Sequence, residues 1–134
     1  KNNVNVTTVV KDDLTISSDP GIFSKVILTL VNNSIAHGFK HRESGNIHIE
    51  AHVNNGAFIL HFQDDGVGID PNLIKNIFDP FTSKMAAGGT GLGLNIIYNL
   101  VTFQLDGSVT CHGKEKNGAK FTIRWPLIQY RDLE

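Results

Sequence analysis

DDGVGID, Asp64 to Asp70, is the stretch whose reading decides the fold. It follows Ala57 to Gln63, where apolar and polar residues alternate as they do in a half-buried strand. Asp64 therefore stands at the strand end, where the chain turns and a carboxylate can accept hydrogen bonds. Ile47 to Val53 alternates in the same way. Asn55-Gly56 between the two stretches suits a type I′ turn, so the pair reads as a hairpin leading into the acidic glycine segment.

Upstream, Asp19-Pro20 supplies an N-cap and a first-turn proline. Phe23, Val26, Ile27, Leu30, Val31 and Ile35 then recur at helical spacing, predicting a helix to about Phe39. On a wheel of about 100° per residue, Phe23, Ile27, Leu30 and Ser34 centre the apolar stripe. Thr29, Asn33 and His37 stack at its flank, and Asn32 points the other way. Val4, Val6, Thr8 and Val10, then Leu14 and Ile16, alternate around the charged turn Lys11 to Asp13 as a first hairpin. Downstream, Pro71 opens a short helix to about Phe78. Residues Asp79 to Gly89 lack periodicity and read as a mobile loop. From Gly91, the pattern Leu94, Ile97, Leu100, Val101 and Leu105 makes another helix. Ser108 to His112 and Ala119 to Trp125, turned at Asn117-Gly118, form a last hairpin. Hairpins interleaved with helices predict an α+β fold, a two-layer α/β sandwich whose mainly antiparallel sheet carries its helices on one face.

At 134 residues the chain suits one domain, 1–134. Twelve basic and thirteen acidic residues give a formal charge of -1 with no basic block, so nucleic acid is not an expected partner. The single cysteine, Cys111, rules out an internal disulfide framework and points to a reducing compartment. It reads as a small strand residue. No apolar run approaches the ~20 residues a membrane span needs, so no direct membrane contact is expected. The chain opens at Lys1 and reads as a piece of a longer protein.

Three segments carry chemistry. Asn33, at the edge between core and solvent, can offer its amide oxygen to a hard cation such as Mg²⁺, which keeps several waters and shares phosphate oxygens. A plain polar helix edge is the other reading. Asp64 can accept from the exocyclic amine of adenine, and Gly66 and Gly68 would let the backbone pass close beneath a base. An ordinary acidic turn is the alternative; the carboxylates lack the spacing of an EF-hand. GGTGLGL, Gly88 to Leu94, ends where a helix begins, so free amides and the positive end of the helix dipole suit phosphate there. It is neither a Walker A motif nor a Rossmann fingerprint. Lys84 is the nearest loop cation, either a phosphate contact or a solvated side chain. The order of the three points to ATP.

With Asn33, DDGVGI, FDPF at Phe78 to Phe81 and GGTGLGL in sequence, nearly the whole chain resembles the ATP-binding catalytic domain of sensor histidine kinases. That domain belongs to the superfamily of gyrase, MutL-type repair proteins and heat-shock chaperones, with its Bergerat-type fold. The resemblance implies that Asn33 holds Mg²⁺, that Asp64 binds the adenine amine and that Gly66 and Gly68 shape the base pocket. It makes Asp79 to Gly89 the ATP lid and gives the phosphates to the amides of Gly91, Leu92 and Gly93. His37, Ile69, Phe81, Lys84, Thr90 and Leu94 complete the nucleotide site it implies. Asn33 and Lys84 are the residues expected to serve catalysis.

Some positions depart from the family. Thr29 stands where an asparagine is frequent, and where hydrolysing members and anti-sigma serine kinases carry a glutamate base, so slow hydrolysis is expected. Asp65 replaces a usual asparagine, which predicts altered metal affinity. Ala119 replaces a common threonine, which predicts loss of a hydrogen bond near the base, and the lid is short. None of the six histidines precedes Asp or Glu, as the family's phosphoacceptor does. The acceptor is thus expected on a separate helical dimerisation domain of the same protein, with a response regulator downstream and a cytoplasmic location. A binding-deficient regulatory module and a superfamily ATPase remain as rival readings.

Overall fold

The computed structural model describes residues 3–10, 20–40, 43–74, 77–78, 93–114 and 118–127. Five strands, β1 (Asn3–Val10), β2 (Ser44–Asn54), β3 (Ala57–Asp64), β4 (Ser108–Lys114) and β5 (Gly118–Pro126), form one sheet in the order β1-β2-β3-β5-β4. Helices α1 (Pro20–Asn33), α2 (Pro71–Ile74) and α3 (Gly93–Asn99) interrupt them. β1 runs parallel to β2, and the other three pairings are antiparallel. Asn55 and Gly56 both take positive φ, 53° and 74°, as a type I′ turn requires, and this sets the β2–β3 register.

Period-two alternation sorts the sheet into two faces. Ile47, Ile49, Ala51, Phe58, Leu60, Phe62, Phe121, Ile123 and Trp125 point inward, where they meet Val26 and Leu30 of α1 and Leu94 and Ile97 of α3. Each fully buried side chain of this size contributes roughly 1.5–3 kcal/mol. Phe58 and Trp125 pack with ring centroids 4.5 Å apart, and Phe23 meets both edge-on. The opposite face carries His48, Glu50, His61, Lys120, Thr122 and Arg124, the polar side of a half-covered sheet.

The helix predicted to Phe39 is continuous, but its end is wound wider. After Asn33 the residues Ser34–Gly38 form a π-turn, closed by the Phe39 amide donating to the Ser34 carbonyl at 2.8 Å. The helix predicted from Gly91 ends likewise in a π-turn, Leu100–Gln104, with the Leu105 amide donating to Leu100 at 3.1 Å. Of the helix expected from Pro71 to about Phe78, α2 covers Pro71–Ile74, the next two residues lie outside the described residues, and the Ile77 amide donates to the Ile74 carbonyl in a turn. The return arm of the first hairpin, with Leu14 and Ile16, lies outside the described residues. Among those described, β1 pairs with β2.

Candidate nucleotide site

Asp64 ends β3 on the inner face and is 3% exposed. Its Oδ1 accepts from the amides of Gly66 and Ala119, each at 3.0 Å, and its Oδ2 accepts from the Ser34 hydroxyl at 2.7 Å. The donors come from the loop after β3, from β5 and from the first π-turn, so the carboxylate ties three chain segments together. Ala119 offers no hydroxyl, yet its amide serves Asp64, and Ser34 adds a hydroxyl from the helix side.

Glycines let those segments close in. A Cβ on Gly118, whose φ is +81°, would stand 1.9 Å from the Asp64 carbonyl oxygen. A Cβ on Gly66 would stand 2.3 Å from the Gly38 carbonyl oxygen, and the Val67 amide donates to that same oxygen at 2.9 Å. In the structure the lack of a side chain at Gly66 admits the Gly38 backbone of the first π-turn. Gly68 has φ +83° and turns the chain onward.

Asp65 faces a different task from its neighbour. Its two carboxylate oxygens accept from the Asn46 amide and from Asn46 Nδ2, both at 2.8 Å, and its own amide donates to the Asn46 carbonyl. This carboxylate thereby fastens the end of β3 to the start of β2.

The wheel placed the helical residues correctly. Asn32 is exposed, whereas Thr29, Asn33 and His37 are half-buried along one flank. The Thr29 hydroxyl donates back to the Lys25 carbonyl at 2.6 Å, a use of the group within its own helix. Burial, and secondarily Lys40, holds His37 below its ordinary value of 6.5. Burial first, and the Asp64 carboxylate second, push the Cys111 thiol up to about 12, which makes it an unreactive packing residue. Ile69 packs against the core, and the Leu94 side chain is a core member at 2% exposure. Gly93 begins α3. Phe81, Lys84, Thr90, Gly91 and Leu92, with the whole of Asp79 to Gly89, lie outside the described residues.

Sequence reasoning passed over Ser34 and Gly38 as parts of this site. A signal existed for Ser34: it is a hydroxyl in the centre of an apolar stripe, where only a bonded polar group is tolerated.

Whether these residues suit Mg²⁺ and a nucleotide can be judged from the donor set. Among the described residues no group of three or more His, Cys, Asp or Glu side chains gathers as a cage. One amide oxygen at Asn33 matches a cation held mainly by phosphates and water. The anchored carboxylate of Asp64 matches an amine donor.

An α/β sandwich of this order, with an anchored aspartate at the end of the central hairpin, defines a nucleotide-binding class. The chain matches the histidine kinase-, DNA gyrase B- and HSP90-like ATPase family over residues 18–129, and it belongs to that family. Among its relatives, the sensor histidine kinase ZraS of Salmonella typhimurium is 37% identical over 115 residues, 84% of this chain and 23% of ZraS. The sensor protein RstB of Escherichia coli is 30% identical over 114 residues, 81% of this chain and 25% of RstB. The sensor histidine kinase component HK1 of Mycobacterium tuberculosis is 32% identical over 124 residues, 90% of this chain and 70% of HK1. The chain thus spans only a quarter or less of RstB and ZraS. The nucleotide-free catalytic domain of histidine kinase ThkA superposes with a TM-score of 0.80 at 26% identity, covering 93% of this chain and 80% of that one. Full-length ShkA in complex with AMPPNP gives 0.78 at 26% identity, covering 92% and 25%. Among the described residues no helix is long and apolar enough to cross a membrane.

Proposed function

We propose that this chain is the catalytic domain of a sensor histidine kinase, which binds ATP with Mg²⁺ and presents the γ-phosphoryl group to a histidine on a separate helical domain. The observation that carries the reading is the Asp64 carboxylate, buried and held by three donors at the end of the central hairpin. A carboxylate so fixed accepts from the adenine amine and repels the keto oxygen that guanine would place there. Ile69 and Phe81 would flank the base. Thr90, Gly91, Leu92 and Gly93 would hold the phosphates at the start of α3, with Lys84 closing from the lid and His37 and Leu94 framing the pocket. Asn33 would hold Mg²⁺, which when bound draws charge from the phosphate oxygens.

The chemistry asked of the domain is chiefly positioning. In the transfer, the bond from the γ-phosphorus to the bridging oxygen breaks, ADP leaves, and an acceptor imidazole nitrogen forms the new bond. Nothing on α1 activates water instead: Thr29 is a hydroxyl already engaged with Lys25. The phosphorylated histidine would pass its phosphoryl group to a response regulator. A cytoplasmic setting follows from the need for ATP and from the lone thiol.

Calorimetric titration of the chain with ATP, with and without Mg²⁺, tests the reading. Micromolar binding strengthened by Mg²⁺, with negligible turnover, is the expected result. Absence of binding overturns it in favour of a binding-deficient module, and steady hydrolysis overturns it in favour of an ATPase.

A further inference from the structure

Ser34 and Asp64 are the two buried polar side chains among the described residues, at 1% and 3% exposure, and they are bonded to each other. We infer that Ser34 is a specificity-determining positioning residue for the nucleotide base, an inference that rests on Asp64 as the base reader. A hydroxyl in the middle of an apolar helix stripe costs stability unless it is bonded, and a bare methyl would fill that place as well. The hydroxyl therefore owes its place to Asp64.

Counting acceptors gives its role. An ionised carboxylate offers about four lone-pair positions, two on each oxygen. Both positions on Oδ1 are taken by the amides of Gly66 and Ala119, and Ser34 takes one on Oδ2. Among the described residues' donors a single acceptor position is left open, which suits a ligand bringing one N–H. Ser34 also fixes the carboxylate plane. The two bonds to Oδ1 alone would leave Oδ2 free to swing, whereas the 2.7 Å bond from the first π-turn pins it against Gly38, where a Cβ would already stand 3.0 Å from Oδ2. Without the hydroxyl, Oδ2 gains a second open position that water can fill, and the preference for an amine weakens.

The test compares ATP with purine riboside triphosphate, which lacks only the 6-amine, on the parent chain, Ser34→Ala and Ser34→Thr, with thermal melting to confirm folding. The parent should prefer ATP. Ser34→Ala should lose about tenfold in ATP affinity, one charge-assisted hydrogen bond's worth, while its affinity for the analogue stays put. Ser34→Thr, which keeps the hydroxyl, should restore the preference. Equal losses for both nucleotides, or an unchanged preference in Ser34→Ala, overturn the inference and leave the reading of Asp64 intact. A parent chain that binds both nucleotides equally overturns the reading of Asp64, and this inference with it. Should Ser34→Ala not fold, Ser34→Cys takes its place, being close in size and a weak donor, with the same outcomes.

Discussion

Helices α1 and α3 each widen into a π-turn, Ser34–Gly38 and Leu100–Gln104, and each turn closes on an apolar residue at 1% exposure, Phe39 or Leu105. In both, that residue's amide donates to the carbonyl of the first residue of the turn. The difference lies in what the turns bury. The first buries Ser34 and Gly38, a hydroxyl and a bare backbone set against the Asp64 carboxylate. The second buries Val101, leaves Phe103 69% exposed, and reverses through Asp106 at φ 58° into β4. One backbone device thus backs the Asp64 carboxylate in one place and seals the core in the other. Side-chain chemistry decides which.

The contrast can be broken at its apolar end with the largest effect. Leu105→Ala empties a fully buried position and should cost about 2–5 kcal/mol of unfolding free energy by urea titration, with ATP affinity of the folded fraction unchanged. Loss of affinity in proportion to stability would mean that the two turns are not separable. Asp64→Asn acts from the other end. Its amide group faces donors where a carboxylate was, so ATP affinity should fall by roughly ten- to a hundredfold, equivalent to about 1.5–3 kcal/mol, in the same calorimetric titration. The smallest effect sharpens the comparison by pH. Because burial and then Lys40 lower His37 in the folded chain, the unfolded chain binds the extra proton more readily below 6.5. The stabilising contribution is present above pH 6.5 and is lost as pH falls towards the folded value. The stability difference between the parent and His37→Gln should therefore shrink between about pH 7.5 and about pH 5.5, whereas a constant difference would remove His37 from the acid response.

Much of this arrangement was legible in the sequence because it follows from period. Alternation located β2, β3 and β5, Asn55-Gly56 fixed a turn that needs two positive φ values, and the helical wheel separated Asn33 from Asn32. What escaped is of another kind. A wheel with a 3.6-residue period carries no sign of a π-turn, so the widening after Asn33 was invisible. That β5 rather than β4 lies beside β3 depends on which strand buries Phe121 against Phe62, a pairing across some sixty residues that local pattern does not encode. Asp64 was found from its place at a strand end, but its donors were not. Two of the three are backbone amides, whose identity a sequence never displays, and the third is supplied from thirty residues away.

The interior place of β5, between β3 and β4, bears on the order in which the site is completed as the chain leaves the ribosome. β1, α1, β2 and β3 emerge first and can pair among themselves, yet Oδ1 of Asp64 still lacks the amide of Ala119, 55 residues further on. The Gly118 backbone likewise comes to rest against the Asp64 carbonyl only once β5 has inserted between β3 and β4. The full set of donors therefore marks a finished sheet: a nascent chain halted before Gly118 carries the aspartate with its Ser34 and Gly66 donors and lacks the third.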